Sequence, residues 1–352
     1  MKKVLKLILS VSVLIFATNI NVFAGNEDRA GQAGAGELLI NPWARSSGWA
    51  GANIASIRGL EAMFLNVAGT AFTPRTEVVF SHTQWLKGSD ISINSFGLTQ
   101  KVGESGVLGL GIMSMDFGEI EITTVNNPEG GKGTFSPQFI NLGLSYARIF
   151  SNSIYGGLTV KIISESISDV GAQGMCFDAG IQYVTGFNED KDNLKFGIAL
   201  KNVGPPMRFD GDGLSFRGII PATTTNMTVE QRSEQFELPS LVSIGAAYDF
   251  NLAESHKITL AASFTSNAFQ KDNYAVGLEY AFKEYFMIRG GMLIEDGIFE
   301  DAERTTALTG PTAGVTFQVP FGKTGKSFGI DYSYRTTDPF DGVHSFGARL
   351  NL

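Results

Sequence analysis

The chain has 352 residues, with 27 Lys and Arg against 35 Asp and Glu, and its net charge of −8 argues against nucleic acid as a partner. Hydrophobic residues make up 43% of it, yet beyond residue 24 no apolar run reaches the ~18 residues that a membrane-spanning helix needs. A single cysteine, Cys176, excludes an internal disulfide, and glycine is abundant at 42 residues, about 12% where ~7% is usual.

Lys2, Lys3 and Lys6 precede an apolar run from Leu7 to Phe16, and Val22-Phe23-Ala24 supplies small residues for a cleavage site. This pattern predicts a Sec signal peptide over residues 1–24, cleaved near Ala24, because the run is short and is followed by a processing site. The mature chain then carries 24 basic and 35 acidic residues, a charge of −11. Residues 25–75 mix apolar residues with glycine and show no long period. A segment of this size hardly buries a core of its own. It is expected to pack as a hatch inside a larger body, with residues 30–72 near the periplasmic side of the lumen.

From Thr76 to Leu352 the hydrophobic pattern has period two. Ile140, Leu142, Leu144 and Tyr146 alternate with Asn141, Gly143, Ser145 and Ala147, and Tyr274, Val276, Leu278, Tyr280 and Phe282 alternate with small or polar residues. Period two means strands with one apolar and one small-or-polar face. Such segments start near residues 76, 90, 105, 137, 153, 173, 193, 239, 256, 272, 285, 310, 326 and 342. Many reach about ten residues, the length of a tilted strand crossing a bilayer.

The connections alternate in length. Those on one side read GES, FSNS, FNEDKD, NLAES, KEY and FGKTG, whereas the other side holds the long ones, 119–136, 204–238 and 296–309. One-sided long loops are the pattern of an outer-membrane barrel. Tyr146, Tyr183, Tyr248, Phe250, Tyr280 and Phe282 fall near the periplasmic strand ends, and Trp85, Tyr332 and Tyr334 near the outer ends, as interfacial belts would. A secreted β-sandwich would alternate equally well, but long strands, ordered belts and a glycine-rich polar face oppose it. The predicted fold is all-β: a transmembrane outer-membrane β-barrel of about 14 antiparallel strands with an N-terminal hatch segment in the lumen. The domains are 1–24 signal peptide, 25–75 hatch and 76–352 barrel.

With lipid outside, the inward set includes Lys161, Asp178, Lys195, Lys201, Asp249, Glu279, Arg289, Asp331, Arg335 and Arg349. Both signs are present, which suits pairing across the lumen or against a plug; the alternative is that they face water. The closing segment HSFGARLNL keeps the alternation to Leu352, as a last strand pairing with the first requires.

"ARSSGWAGANIA" (44–55), "FLNVAGTAF" (64–72), "SHTQWL" (81–86) and "DFGEIEIT" (116–123) resemble the opening blocks of the PorV/PorQ family. That family comprises Bacteroidetes outer-membrane barrels of the wider fatty-acid-transporter, FadL-like, class. The wider class carries an Asn-Pro-Ala hatch motif; here Asn66-Val67-Ala68, followed by Gly69, stands in its place. Valine lacks the locked φ of proline, so a different hatch turn is expected. The resemblance implies a role in type IX secretion: recognising the C-terminal domains of exported cargo, delivering them to the attachment complex, or standing beside the translocon.

A binding and shuttle role is therefore the first expectation, with translocon and attachment-complex proteins, cargo C-terminal domains and outer-membrane lipid as partners. The outer loop 204–238 offers Arg208, Phe209, Phe216 and Arg217, residue types found at interface centres; a solvated loop over the barrel mouth is the alternative. The second expectation is a channel for long-chain fatty acids or other hydrophobic small molecules, lined by Leu39, Ile40, Trp43, Trp49 and Phe64. Catalysis is not expected. The three histidines, His82, His256 and His344, carry no supporting motif and read as polar interior residues. No cofactor is called for, and the acidic turns DGDG (210–213) and NEDKDN (188–193) lack calcium-loop spacing.

Overall fold

The structure, a computed structural model, describes residues 29–186, 192–220, 225–322 and 325–352. The signal peptide expected over 1–24 and most of the NEDKDN turn lie outside the described residues. Fourteen antiparallel strands form the wall: β1 Thr76–Trp85, β2 Ile91–Val102, β3 Gly106–Asp116, β4 Gln138–Ile149, β5 Ile154–Ile167, β6 Val170–Thr185 and β7 Leu194–Val203. The second half runs β8 Leu241–Ala253, β9 His256–Asn267, β10 Asn273–Phe282, β11 Phe286–Glu295, β12 Leu308–Phe321, β13 Lys326–Thr337 and β14 Val343–Asn351. Each pairs with its neighbours in sequence, and β14 pairs with β1 from Gln84↔His344 to Glu77↔Asn351, so the cylinder closes. No strand of the ring keeps an open edge, as hydrocarbon demands.

The pleat separates the two solvents. Phe80, Phe96, Ile112, Leu142 and Ile162 follow one another across β1–β5 on the outer face. One residue along, Gly97, Gly111 and Gly143 form an inward row. The long connections 117–137, 204–240 and 296–307 share one rim, the outer one. Tyr146, Tyr183 and Phe282 are exposed on the outer face near the opposite rim. Trp85 departs from the belt expected of it. It follows the inward parity of Glu77, Val79, Ser81 and Thr83, and its ring lies in the lumen, 5.1 Å from the Arg335 guanidinium.

The lumen is filled by the segment before β1, folded into single helical turns at Gly36–Leu39, Ala44–Ser47, Ala52–Ala55, Ala62–Leu65 and Val67–Phe72. Positive φ at Gly51 (86°) and Gly59 (78°) lets the chain reverse between turns. The segment is not confined to the periplasmic side. Arg29 bonds Glu237 at 2.9 Å and Gly31 N–H reaches Phe269 O, both in outer loops, while Lys101 N–H bonds Arg75 O near the other rim. Its start is held at the outer rim by an apolar seat: Ala35 and Leu38 pack with Ile163, Ala172, Cys176, Met207 and Leu238, beneath Phe209 and Phe236.

The inward glycines receive this hatch. A Cβ on Gly180 would stand 2.2 Å from Asn66 Oδ1, and one on Gly291 2.5 Å from the carbonyl carbon of Trp49. The hatch backbone meets the wall at Gly291 and the Asn66 side chain meets it at Gly180, and such approaches account for much of the glycine excess. Deleting residues 30–72 should raise single-channel conductance in planar bilayers several-fold over the intact chain. Equal conductance would show that the segment does not obstruct the lumen.

Candidate functional site

The hatch is joined to the wall by buried charge. Arg349 on β14 bonds Glu77 on β1 and Glu61 of the hatch, and Arg349 Nη2 lies 3.7 Å from Asp331 on β13. Glu77 and Glu61 also turn inward to backbone: Leu60 N–H donates to Glu77 Oε2 at 2.6 Å, and Ser46 N–H to Glu61 Oε2 at 2.7 Å. Asp331 accepts from Arg45 Nε at 3.1 Å and from the Thr316 hydroxyl, and Thr316 accepts in turn from Arg289 Nη2 at 2.7 Å. Arg289 Nε closes the series on Glu279 at 2.7 Å. Lys161–Asp178 (2.9 Å) and Lys195–Asp249 (2.5 Å) pair between neighbouring strands. These paired inward charges thus meet the next strand or the hatch instead of reaching across the lumen.

Asn66 is the hatch's pivot. Its Nδ2 donates to the carbonyls of Ile54 and Ile181, each at 3.2 Å, while its Oδ1 accepts Ala68 N–H and caps the Val67–Phe72 turn. Val67 occupies the first helical position, where proline is favoured because the N–H there has no intrahelical acceptor. Valine fits the same place, and its γ-carbon packs where a Cβ on Gly157 would lie 3.1 Å away. Ala68 and Gly69 are buried behind it, with a Cβ on Gly69 meeting Ile57 O at 2.2 Å.

The four residues singled out in loop 204–238 do not form one patch. Residues Met207–Asp210 add to the outer end of β6 through Phe209↔Ala172, and Phe209 packs on Phe236 at 5.5 Å, over the start of the hatch. Arg208 beside it is exposed. Phe216 and Arg217 belong to a separate ribbon, Ser215–Ile220 paired with Thr225–Glu230. Phe216, Met227 and Val229 share one face of that ribbon and are 53%, 49% and 39% exposed; Arg217, at odd parity, is on the other.

Above the hatch lies a cavity of about 510 Å3, within the size range of small-molecule sites. Leu39, Ile40, Ile54, Phe64 and Trp85 contribute apolar walls, and Lys201 and Arg335 reach it with positive charge. Both are nine-tenths buried, and no ion pair joins either to a carboxylate among the described residues. The Lys201 ammonium stands 3.8 Å from the Phe64 ring centre. Nothing in the alternation announces these two as different from their paired neighbours. Trp43 and Trp49 do not line this cavity: Trp43 packs against Leu60 and Val79 and lines a smaller pocket between hatch and wall, and Trp49 packs against Ala52 and Ala261.

The histidines are not interior. His82 is exposed on the outer face with Nδ1 2.8 Å from Asn94 Oδ1. His344 lies 2.9 Å from the Tyr332 hydroxyl, beside Tyr334, and His256 lies 2.7 Å from the Tyr280 hydroxyl near the periplasmic rim. Their parity matches the lipid-facing residues, and at strand ends their polar atoms pair within the interfacial belt.

A closed barrel of fourteen strands with a hatch of short helices in its lumen is the fold of the FadL-like outer-membrane barrels. The toluene transporter TodX of Pseudomonas putida superposes with a TM-score of 0.56 at 12% identity, covering 88% of this chain and 97% of that one. The toluene transporter TbuX of Ralstonia pickettii gives 0.52 at 13% identity, and a FadL homologue of Pseudomonas aeruginosa 0.52 at 12%, with the same coverage of 88% and 97%. At such identities the likeness concerns the fold. Residues 79–346 match the family described as type IX secretion system membrane protein PorP/SprF, and the chain belongs to that family. No curated protein matches the sequence. Of the four blocks that resemble PorV/PorQ, 44–55 and 64–72 lie upstream of the matched span and 81–86 and 116–123 within it; the family shown is PorP/SprF, not PorV/PorQ.

Arg349→Met should leave Glu61 and Glu77 buried without their counter-charge, at a cost of about 3–5 kcal/mol. Heat-modified mobility on semi-native gels should then change at a markedly lower temperature than for the parent protein. An unchanged midpoint would remove the charge junction as the tie between hatch and barrel.

Proposed function

We propose that the protein is a docking component of the type IX secretion system, binding rather than catalysing, and that it takes its protein partners at the outer rim. The observation that carries this reading is the ribbon 215–230. Its strands pair only with each other among the described residues, and they leave Phe216, Met227 and Val229 exposed on one face and Ile219 on the other. Membership of the PorP/SprF family supports a partner within that system. The resemblance of the opening blocks to PorV/PorQ favours a shuttle or translocon-partner role, with the C-terminal domains of cargo as one class of client. The expected loss on removing residues 213–232 is of co-purifying secretion components, with the barrel still folded. Undiminished recovery of those components would take the ribbon out of the interface.

A second reading rests on the outer cavity. Apolar walls with two unpaired buried cations suit an amphiphile with an anionic head, such as a long-chain fatty acid. The toluene transporters and the FadL homologue of the same fold favour passage of hydrophobic small molecules. Lys201→Met should weaken binding of a fluorescent fatty-acid analogue about tenfold, a loss of ~1.4 kcal/mol. Equal binding by the two proteins would leave the cavity without this role.

A further inference from the structure

A second pocket, of about 70 Å3, lies between the first hatch turn and the wall at β3–β5. It exists because Gly111 and Gly143 face each other across the strand pair without side chains, and Met63 enters only part of the space. Glu37, Trp43, Met63, Phe64, Asn141 and Thr159 are among its lining residues. Glu37 is 3% exposed, and neither carboxylate oxygen accepts a hydrogen bond of good geometry among the described residues, although the Asn141 side chain and the Glu37 N–H lie close enough to favour its charged form. Asn141 Oδ1 and Thr159 Oγ1 are likewise without one. Glycine rows and helical turns alone do not explain four unpartnered oxygens around one small cavity.

The charges facing this place do not cancel. Glu165 on β5 is 4% exposed, with Oε1 unpartnered, and it acts on Glu37 electrostatically. Lys161 lines the pocket, but its ammonium is held by Asp178 at 2.9 Å and by Asn202. Lys201 stands beside the Phe64 ring, facing the outer cavity. Asp178 takes up Lys161, which leaves Glu37 and Glu165 without an ion-pair partner among the described residues. A buried carboxylate in that position has to take up a proton or a cation. Burial first, and then Glu165, push the Glu37 carboxyl up to about 7, with Asn141 and Lys161 drawing it back in part.

We propose that this pocket binds a small organic ammonium ion, its N–H groups on Glu37 and Asn141 and its carbon against Trp43 and Phe64. The Glu37 carboxylate and Asn141 Oδ1 offer acceptors to the N–H donors of a primary ammonium. Aromatic rings beside a carboxylate favour an organic cation over a hydrated inorganic one. The space admits a molecule of a few heavy atoms. The site depends on the hatch and its wall, not on the secretion role.

The full chain in detergent would be tested with methylammonium by saturation-transfer NMR, against methanol as the neutral molecule of equal size. Methylammonium should bind at least tenfold tighter than methanol, and about tenfold tighter at pH 8 than at pH 6, where protons compete for Glu37. Glu37→Gln should reduce that binding at least tenfold while the heat-modified gel shift of a folded barrel remains. Equal signals from methanol, or undiminished binding by Glu37→Gln, would overturn the proposal. Displacement of methylammonium by an equal concentration of sodium would overturn the organic identity of the ligand. The methanol, pH and sodium comparisons use the unaltered protein and decide the matter even if the variant fails to fold.

Discussion

The junction at Arg349 is the constraint on which the rest of the molecule depends. One guanidinium on the last strand meets Glu77 on the first strand and Glu61 on the hatch, with all three groups buried. A buried ion pair gives little net stability by itself, since desolvation offsets much of the attraction. Its effect is on geometry. A slip of β14 by one residue would turn Arg349 toward lipid and strand both carboxylates, so closure is possible in one register only. The same three residues decide where the hatch sits, because Glu77 and Glu61 also accept the N–H groups of Leu60 and Ser46.

From that junction the hatch is carried around the lumen by backbone contacts more than by side-chain packing. Asn66 spans two carbonyls, Gln182 Nε2 donates to Ile54 O at 3.0 Å and Ile57 O at 3.2 Å, and glycines open the wall where the turns approach. Each helical turn is too short to satisfy its own polar groups. The polar inner face of the wall takes over that task, so a segment with no core of its own has a single conformation inside the barrel. This also explains why the alternation needs no apolar residues inward: the lumen-facing side is an interface to backbone, and small or hydrogen-bonding residues serve it best.

Much of this was legible in the sequence, because a strand in lipid leaves a strict parity. Strand starts at Thr76, His256 and Lys326 coincide with the pattern, and Val170 and Leu308 precede their expected starts by two or three residues. Gly171 and the shifted register between Leu308 and Thr312 hid those two. Trp85, His82 and His344 were misplaced for a different reason: their chemistry was followed, whereas parity with Val79 or Phe80 gives the right side. Ion-pair partners were beyond reach, because Arg45 with Asp331 and Arg349 with Glu61 join positions whose proximity exists only once the hatch is seated. Glu37 had no signal at all, since a carboxylate in a glycine-rich segment reads as solvated until the wall around it is known.

Phe64 divides the lumen's unbalanced charges. It lines both cavities, with Lys201 against its ring on the side of the large outer space and the Glu37 pocket on the other. Elsewhere the buried charges are matched by neighbours at 2.5–3.1 Å, so these two places of opposite sign are not a general feature of a polar lumen. A wall of ion pairs that merely filled space would have no reason to leave a cation bare on one face of a hatch residue and a carboxylate bare near the other. The Phe64 ring is held by the helical turn Ala62–Leu65 and by the Lys201 contact, which keeps the outer cavity positive and the inner pocket negative.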